Sequence, residues 1–143
     1  MKSCKKAAVI LCAGKGERAR LGYNKTLHPL GSASVAAKSA DAFSDFDEIV
    51  VVCRPEDEEF LRGQIDFPAL SFVRGGETRT DSVRNALKAI KNAGIVSVHD
   101  GARPFVTREV VDRSVECAIK YGSGVAATKS VNAIRRILAD GTT

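Results

Sequence analysis

The sequence predicts a layered α/β domain built around a mostly parallel sheet, because short apolar runs alternate with amphipathic helical patterns along its 143 residues. The apolar runs are unbroken and rich in β-branched residues, which is typical of strands buried on both faces. The segments between them carry apolar residues at three- and four-residue spacing, as helices do. A chain of this length buries one hydrophobic core, so we expect a single domain over residues 1–143.

Each element follows from its local pattern. The predicted strands are 7–12, 48–53, 70–73, 95–99 and 124–129. The predicted helices are 33–43, 55–63, 79–92 and 107–121. Pro55 and Thr107 suit helix starts, and the acidic residues 56–59 are expected to face solvent as partners of the helix dipole. Residues 133–138 are predicted to begin one strand of a hairpin.

Composition excludes several classes of protein. No apolar run approaches the roughly 20 residues of a membrane span, so we expect a cytoplasmic protein without a membrane partner. The net charge of +5 is modest and is not gathered into a basic helix, which argues against a nucleic-acid partner and suits a small anionic ligand. The four cysteines have neither metal-site spacing nor disulfide density, so we expect inert thiols.

The first candidate site is the glycine-rich loop after the first predicted strand, in the stretch "ILCAGKGERARLGYNK" (10–25). Ala13, Gly14 and Gly16 allow a ligand to approach the backbone closely. Positive charge is added by Lys15, Arg18, Arg20 and Lys25. This pattern suits a phosphate, although it matches neither the P-loop nor the dinucleotide-binding motif. The alternative is a glycine turn with solvated cations.

The second candidate site is "RGGETRTDSVRNAL" (74–87), in which two glycines form a turn and Arg79, Asp81 and Ser82 begin a helix. Backbone amides in such a turn can bind the edge of a base, and a serine at a helix start can hold a polar group. The alternative is that Asp81 and Ser82 serve only to start the helix.

The third candidate site is "VHDGARPF" (98–105), in which a buried strand brings Asp100 to the edge of the sheet where ligands bind. A carboxylate there is suited to Mg²⁺, which binds through one or two carboxylates and substrate phosphates. The alternative is a turn-forming aspartate. His99 should point to the opposite face and be structural. Together, the three sites suggest a nucleoside triphosphate held with Mg²⁺ and attacked at its α-phosphate by an oxygen nucleophile.

The motifs "AAVILCAGKGERA", Lys25, "GGETRTDSV" and "VHDGARPF" together resemble the 2-C-methyl-D-erythritol 4-phosphate cytidylyltransferases of the non-mevalonate isoprenoid pathway. Their order and spacing match from about residue 7 to residue 136. The resemblance implies a three-layer Rossmann-like nucleotidyltransferase fold, with a twisted sheet and the beginning of a β-arm near 129–143. It also implies transfer of CMP from CTP to a hydroxyl of methylerythritol phosphate, release of pyrophosphate, a Mg²⁺ cofactor, and a homodimer when full length.

The resemblance also implies roles for individual residues. Arg18 and Lys25 would stabilise the transition state, and the triphosphate would be wrapped by Gly14, Lys15 and Gly16. The cytosine and ribose pocket would comprise Cys12, Ala13, Gly76, Glu77, Ser82 and Gly101. Asp100 would bind the metal, and Arg103 would serve loop structure or methylerythritol phosphate binding. The substrate-binding arm would include Asn132 and Ala133.

The chain also departs from the family pattern. Asn24 and Thr26 flank Lys25 where the family usually has "PKQ", and Asn132 and Ala133 replace an Asp-Thr pair. Family members continue well past this length and carry a second catalytic lysine, so we expect this chain to supply the nucleotide-binding half. "HDGARPF" favours methylerythritol phosphate over ribitol 5-phosphate as the acceptor. Two hypotheses of a different class are a nucleotide-binding module without turnover and a basic nucleic-acid binder.

Overall fold

The computed structural model describes residues 4–14, 16, 21–131, 137 and 139. The elements in chain order are β1 (Lys6–Leu11), a 3₁₀ turn (Lys25–Leu27), β2 (Pro29–Leu30), β3 (Ala33–Ser34), α1 (Val35–Asp41), β4 (Glu48–Cys53), α2 (Pro55–Gln64), β5 (Leu70–Arg74), α3 (Arg79–Ala89), β6 (Ile95–Asp100) and α4 (Arg108–Tyr121). Across these ranges, no helix is long and apolar enough to cross a membrane.

Four of the described strands form one sheet in the order β5-β4-β1-β6, with every neighbouring pair parallel. The short strands β2 and β3 form a separate antiparallel pair. Leu11, the last residue of β1, pairs with Val52 on one side and with Asp100 on the other. The loops that follow β1 and β6 therefore leave the sheet side by side.

Side chains that alternate along β1 pack against two different helical layers. Ile10 packs in a cluster with Leu61 of α2 and Val111 of α4, to which α1 also contributes. Val9 packs in a smaller cluster on the opposite face with Ala86 of α3. The sheet thus lies between two helical layers, which confirms the predicted three-layer α/β architecture.

The first four predicted strands are confirmed to within a residue at each end, but the prediction of a fifth strand at 124–129 is wrong. This segment has no regular structure, and Val125 is 88% exposed. The apolar pattern gives a strand only when a neighbouring strand supplies hydrogen-bond partners, and none of the described strands pairs with it. The predicted arm at 129–143 and the hairpin strand at 133–138 fall mostly outside the described residues.

The helix boundaries follow the predicted capping chemistry. Pro55 occupies the first turn of α2, and the Thr107 side chain accepts a hydrogen bond from a backbone amide of α4. Thr78 and Asp81 form a reciprocal capping box at the start of α3, confirming that Asp81 helps to start this helix. The prediction of a solvated acidic face on α2 is wrong for Asp57, which is only 4% exposed. The buried carboxylate of Asp57 accepts hydrogen bonds from Asn24, directly before the 3₁₀ turn, and from Arg54, directly before α2.

Candidate active site

An open cleft of about 930 Å³ lies beyond the carboxyl edge of the sheet. Its walls come from the loops after β1, β5 and β6, and from the 3₁₀ turn. The lining residues are Leu11, Ala13, Gly14, Asn24, Lys25, Thr26, Gly76, Glu77, Thr78, Arg79, Ser82, Asp100, Ala102 and Arg103. The structure therefore brings parts of all three predicted sites together, as expected for loops at the ends of parallel strands.

The glycine loop after β1 packs against the segment that carries Lys25. Gly16 has a φ of +72°, a left-handed conformation that L-residues rarely adopt. A Cβ atom at Gly16 would also lie 2.8 Å from the carbonyl oxygen of Tyr23 and 3.2 Å from the amide nitrogen of Lys25. At Gly14 the position of a Cβ is open, with no atom within 4 Å. Gly16 is thus required by the loop itself, whereas Gly14 leaves space in the cleft.

Lys25 begins the 3₁₀ turn and is exposed between two buried polar residues, Asn24 and Thr26. The Asn24 side chain accepts a hydrogen bond from the Thr26 amide and so caps the turn. The family motif indicates only that Asn24 stands in place of a proline. Asparagine is a typical capping residue directly before a turn, so the sequence signal for the role of Asn24 is its residue type at this position.

The turn after β5 is compact and internally paired. The amide of Gly76 donates a hydrogen bond to Ser82 Oγ at 3.0 Å. A Cβ at Gly76 would collide with the Asp81 side chain. Asp81 is held by Thr78, and its pKa is lowered, first by the Thr78 side-chain hydrogen bond. Because the Gly76 amide donates to Ser82, its hydrogen is already bonded within the turn. Glu77 lies exposed on the cleft wall.

Asp100 ends β6 and lies between two arginines. Its Oδ1 accepts a hydrogen bond from Arg79 Nη2 at 2.9 Å, and its Oδ2 accepts one from Arg103 Nε at 3.1 Å. Partial burial alone raises the pKa of Asp100, but the bonds and charges of these two arginines outweigh it and hold the pKa below its usual value. Asp100 is therefore an ionised carboxylate on the cleft wall. Arg79 belongs to this cluster, although the sequence placed it only at a helix start.

Two residues predicted for the nucleotide pocket lie behind the cleft. The Cys12 side chain is fully buried, and burial, followed by the charge of Cys53, raises the pKa of its thiol to about 12. Gly101 is also buried, its amide donates to the Leu11 carbonyl at 2.9 Å, and a Cβ there would collide with Cys12 Sγ. Their close packing explains the need for a small residue at 101 and gives no support to direct ligand contact by the Cys12 thiol.

His99 lies on the other side of β6 from the cleft, as expected. Its ring lies 5.2 Å from that of Phe43, and its Nε2 is 3.1 Å from the carbonyl oxygen of Arg103. Burial lowers the pKa of His99 below the ordinary value, so the imidazole is neutral near pH 7. It therefore has a structural place under the loop that carries Arg103.

Five of the cationic and arm positions named from the sequence lie outside the described residues: Lys15, Arg18, Arg20, Asn132 and Ala133. In the described ranges, no group of three histidine, cysteine or acidic side chains is arranged to hold a metal ion.

Comparison with known proteins identifies the family. The model of the IspD family, 2-C-methyl-D-erythritol 4-phosphate cytidylyltransferase, matches residues 6–143. The chain belongs to this family. Because the match includes the cleft loops as well as the sheet, the IspD family relationship covers the candidate site and the fold together.

Relatives and solved structures agree with this assignment to the IspD family. The chain is 42% identical over 123 residues to a bifunctional IspD/IspF enzyme of Paracoccus denitrificans, covering 85% of this chain and 32% of the relative. It is 32% identical over 142 residues to the 2-C-methyl-D-erythritol 4-phosphate cytidylyltransferase of Clostridium acetobutylicum, covering 94% of this chain and 62% of the relative. The crystal structure of 4-diphosphocytidyl-2C-methyl-D-erythritol synthase from Anaerococcus prevotii matches with a TM-score of 0.79 at 27% identity, covering 97% and 62%. The chain thus covers from 32% to 62% of the length of these relatives.

The reactivity of the four thiols tests the placement of Cys12 behind the cleft. Cys12 and Cys53 are buried, with pKa values raised to about 12 and about 11, whereas Cys4 and Cys117 are exposed. Only the thiolate reacts, so iodoacetamide at about pH 8 should alkylate Cys4 and Cys117 and spare the other two in the native protein. Peptide mass mapping measures this, with denatured protein as the control in which all four react. Alkylation of Cys12 as fast as Cys117 would contradict its placement behind the cleft.

Proposed function

We propose that the chain provides the nucleotide-binding part of an enzyme that transfers CMP from CTP to 2-C-methyl-D-erythritol 4-phosphate and releases pyrophosphate. The observation that carries the proposal is the convergence of the glycine loop, Lys25 and Asp100 on one cleft. The family relationship supports a cytidine nucleotide as the donor and methylerythritol phosphate as the acceptor, because family members are named 2-C-methyl-D-erythritol 4-phosphate cytidylyltransferase. The cleft volume of about 930 Å³ is sufficient for a nucleoside triphosphate.

The glycine loop and the cationic residues are proposed to bind the triphosphate. Gly14 leaves space beside the backbone, and Lys25 extends a positive charge into the cleft. Lys15, Gly16 and Arg18 are proposed to act with them on the basis of the family motif. Backbone amides and cations together neutralise phosphate charge without covalent chemistry.

Asp100 is proposed to hold Mg²⁺, and its single ionised carboxylate fits the small number of protein ligands that this ion uses. When bound, Mg²⁺ would neutralise charge on the phosphate oxygens. In the structure, Arg79 pairs with Oδ1 of Asp100 and Arg103 pairs with Oδ2. Because these ion pairs are exposed, they are weak and can be exchanged, so a triphosphate offers the two arginines a replacement anion.

The chemical step is a displacement at the α-phosphorus of CTP. The relative from Anaerococcus prevotii is named for a diphosphocytidyl product, which has two phosphates in its link. We therefore propose that the attacking oxygen belongs to the phosphate of the acceptor, in place of the predicted hydroxyl. The new P–O bond forms at the α-phosphorus as its bond to the bridging oxygen breaks, and pyrophosphate leaves. Lys25 and Arg18 would stabilise the added charge of the transition state.

The remaining residues of the cleft are proposed to bind the rest of the two substrates. Ala13, Gly76, Glu77 and Ser82 surround the space proposed for cytosine and ribose, with Gly101 and Cys12 supporting it from behind. Arg103, Asn132 and Ala133 are proposed for the acceptor. The homodimer, the cytoplasmic location and the absence of a nucleic-acid partner stay predictions.

A coupled assay tests the proposed activity. Purified full-length enzyme that contains this chain should release pyrophosphate when it is given CTP, Mg²⁺ and methylerythritol phosphate, and ribitol 5-phosphate should give a much lower rate. Calorimetry on the same sample measures CTP binding. Binding without turnover would identify a nucleotide-binding module, and salt-sensitive RNA binding stronger than CTP binding would point to a nucleic-acid binder.

Replacement of Lys25 tests the proposed charge stabilisation. Lys25→Ala should lower the rate of CMP transfer by about 100-fold or more, because the charge is needed most in the transition state. The affinity for CTP should fall much less, as measured by calorimetry. Lys38→Ala is the matched control, since Lys38 is an exposed lysine paired with Asp41 on α1. An equal loss of affinity and rate would contradict a transition-state role for Lys25.

Replacement of Asp100 tests the proposed metal site. Asp100→Asn keeps the shape of the side chain but removes its charge, so Mg²⁺ should enhance CTP affinity less than it does in the wild type. Calorimetric titrations of CTP with and without Mg²⁺ give this ratio. Asp41→Asn on α1 is the control and should leave it unchanged, because Asp41 is exposed and lies outside the cleft lining. A normal Mg²⁺ effect in Asp100→Asn would assign the metal elsewhere.

A further inference from the structure

Asn24 is a polar side chain with no exposed surface, and all of its hydrogen-bonding capacity is used. Its Nδ2 donates to the carbonyl oxygen of Cys12 at 2.6 Å and to Asp57 Oδ2 at 2.8 Å. Its Oδ1 accepts from the backbone nitrogen of Thr26 at 3.1 Å and from Thr26 Oγ1 at 2.9 Å. An amide has two donor hydrogens and two acceptor lone pairs, so Asn24 is held in one orientation by three neighbours.

Asp57 anchors this amide to the start of α2. Its side chain is buried, and Arg54 donates to both carboxylate oxygens, from Nε at 2.8 Å and from Nη2 at 3.1 Å. Such two-point pairing fixes the plane of the carboxylate as well as its charge. Asn24 therefore connects the residue that directly follows β1, through the Cys12 carbonyl, to the first turn of α2.

Lys25 lies directly beside this network. Its two neighbours along the chain, Asn24 and Thr26, are at most 3% exposed, and each is hydrogen-bonded to the other. The 3₁₀ turn is closed by backbone bonds from the Leu27 amide to the Asn24 carbonyl and from the His28 amide to the Lys25 carbonyl. The backbone of Lys25 cannot shift without breaking buried hydrogen bonds, which are costly to leave unpaired.

We propose that Asn24, anchored by Asp57 and Arg54, is a positioning residue that fixes Lys25 at the cleft. This inference rests on the proposed role of Lys25 in charge stabilisation. A local cap would need only the acceptor Oδ1 of Asn24. The two donated bonds, to the Cys12 carbonyl just after β1 and to Asp57 in α2, tie the turn to the framework of the sheet.

Two substitutions of Asn24 separate positioning from capping. Asn24→Ala removes every bond of the side chain, whereas Asn24→Ser keeps an acceptor for the Thr26 amide but cannot reach Asp57. Both should lower the single-turnover rate of CMP transfer by about 10-fold to 100-fold, because small displacements of a catalytic group have large effects. The KM for CTP should change by less than about threefold, because ground-state binding depends less on the placement of Lys25. A wild-type rate in Asn24→Ser would reduce Asn24 to a local cap and overturn the proposal.

A matched pair of substitutions on α2 tests the anchor. Asp57→Ala removes the buried partner of Asn24 and should reproduce the loss of rate, with Arg54 still able to pair with Glu56. Glu58→Ala, one residue later, removes only a surface ion pair with Arg62 and should leave the rate unchanged. Thermal unfolding of each variant verifies that the measured protein is folded. Equal rates in these two variants would show that the anchor has no part in positioning.

A measurement without turnover distinguishes failure of this inference from failure of the proposed function. The NMR order parameter of the Lys25 amide should be about 0.85 in the wild type and should fall below about 0.6 in Asn24→Ser and Asp57→Ala. It should stay at the wild-type value in Glu58→Ala. If the wild type releases no pyrophosphate but these order parameters change as expected, the proposed function fails and the positioning of Lys25 stands. An unchanged order parameter in both variants would refute the positioning itself.

Discussion

The central position of β1 in a parallel sheet is the constraint on which the rest of this structure depends. β1 pairs with β4 on one side and with β6 on the other, and residues 7–10 are fully buried between two helical layers. A shift of one residue would turn Ile10 toward the wrong layer, so the register is strongly specified. Because the pairing is parallel, the loops after β1, β5 and β6 leave at one edge. The candidate active site lies where these loops meet.

Polar groups at this edge fall into two kinds with different consequences. Asp100 is only partly buried and its two arginines are exposed, so their pairing contributes little to stability and is available for exchange with a ligand. Asp57 and Arg54 form the other kind of pair, in which the carboxylate is buried and loss of one partner leaves an uncompensated charge. The exposed pairs are therefore suited to exchange with a bound ligand. The buried pair is suited to fixing the turn that carries Lys25.

The sequence predicted much of this arrangement from local signals. Buried strands appear as unbroken apolar runs, and Thr107 and Pro55 mark helix starts, because these signals depend on neighbouring residues only. The same reasoning failed for 124–129, where strand formation requires a partner that the local pattern does not reveal. The family resemblance implied a place for Cys12 in the nucleotide pocket, and its side chain is buried behind the cleft, because position along a loop does not show which way a side chain points. Local reasoning missed the hydrogen bond between Asn24 and Asp57, which lie 33 residues apart and meet only in the folded chain.

The sequence by itself determined the α/β class, the order of the elements, the family relationship and the three segments that form the cleft. Periodicity, capping residues and glycine motifs are local properties, and they can be recognised before the chain is folded. Only the tertiary structure decided which side chains face the cleft and which support it from behind. It placed Arg79 beside Asp100 and packed Gly101 against Cys12. These contacts join separate segments, and their geometry depends on how the layers pack, which no local pattern specifies.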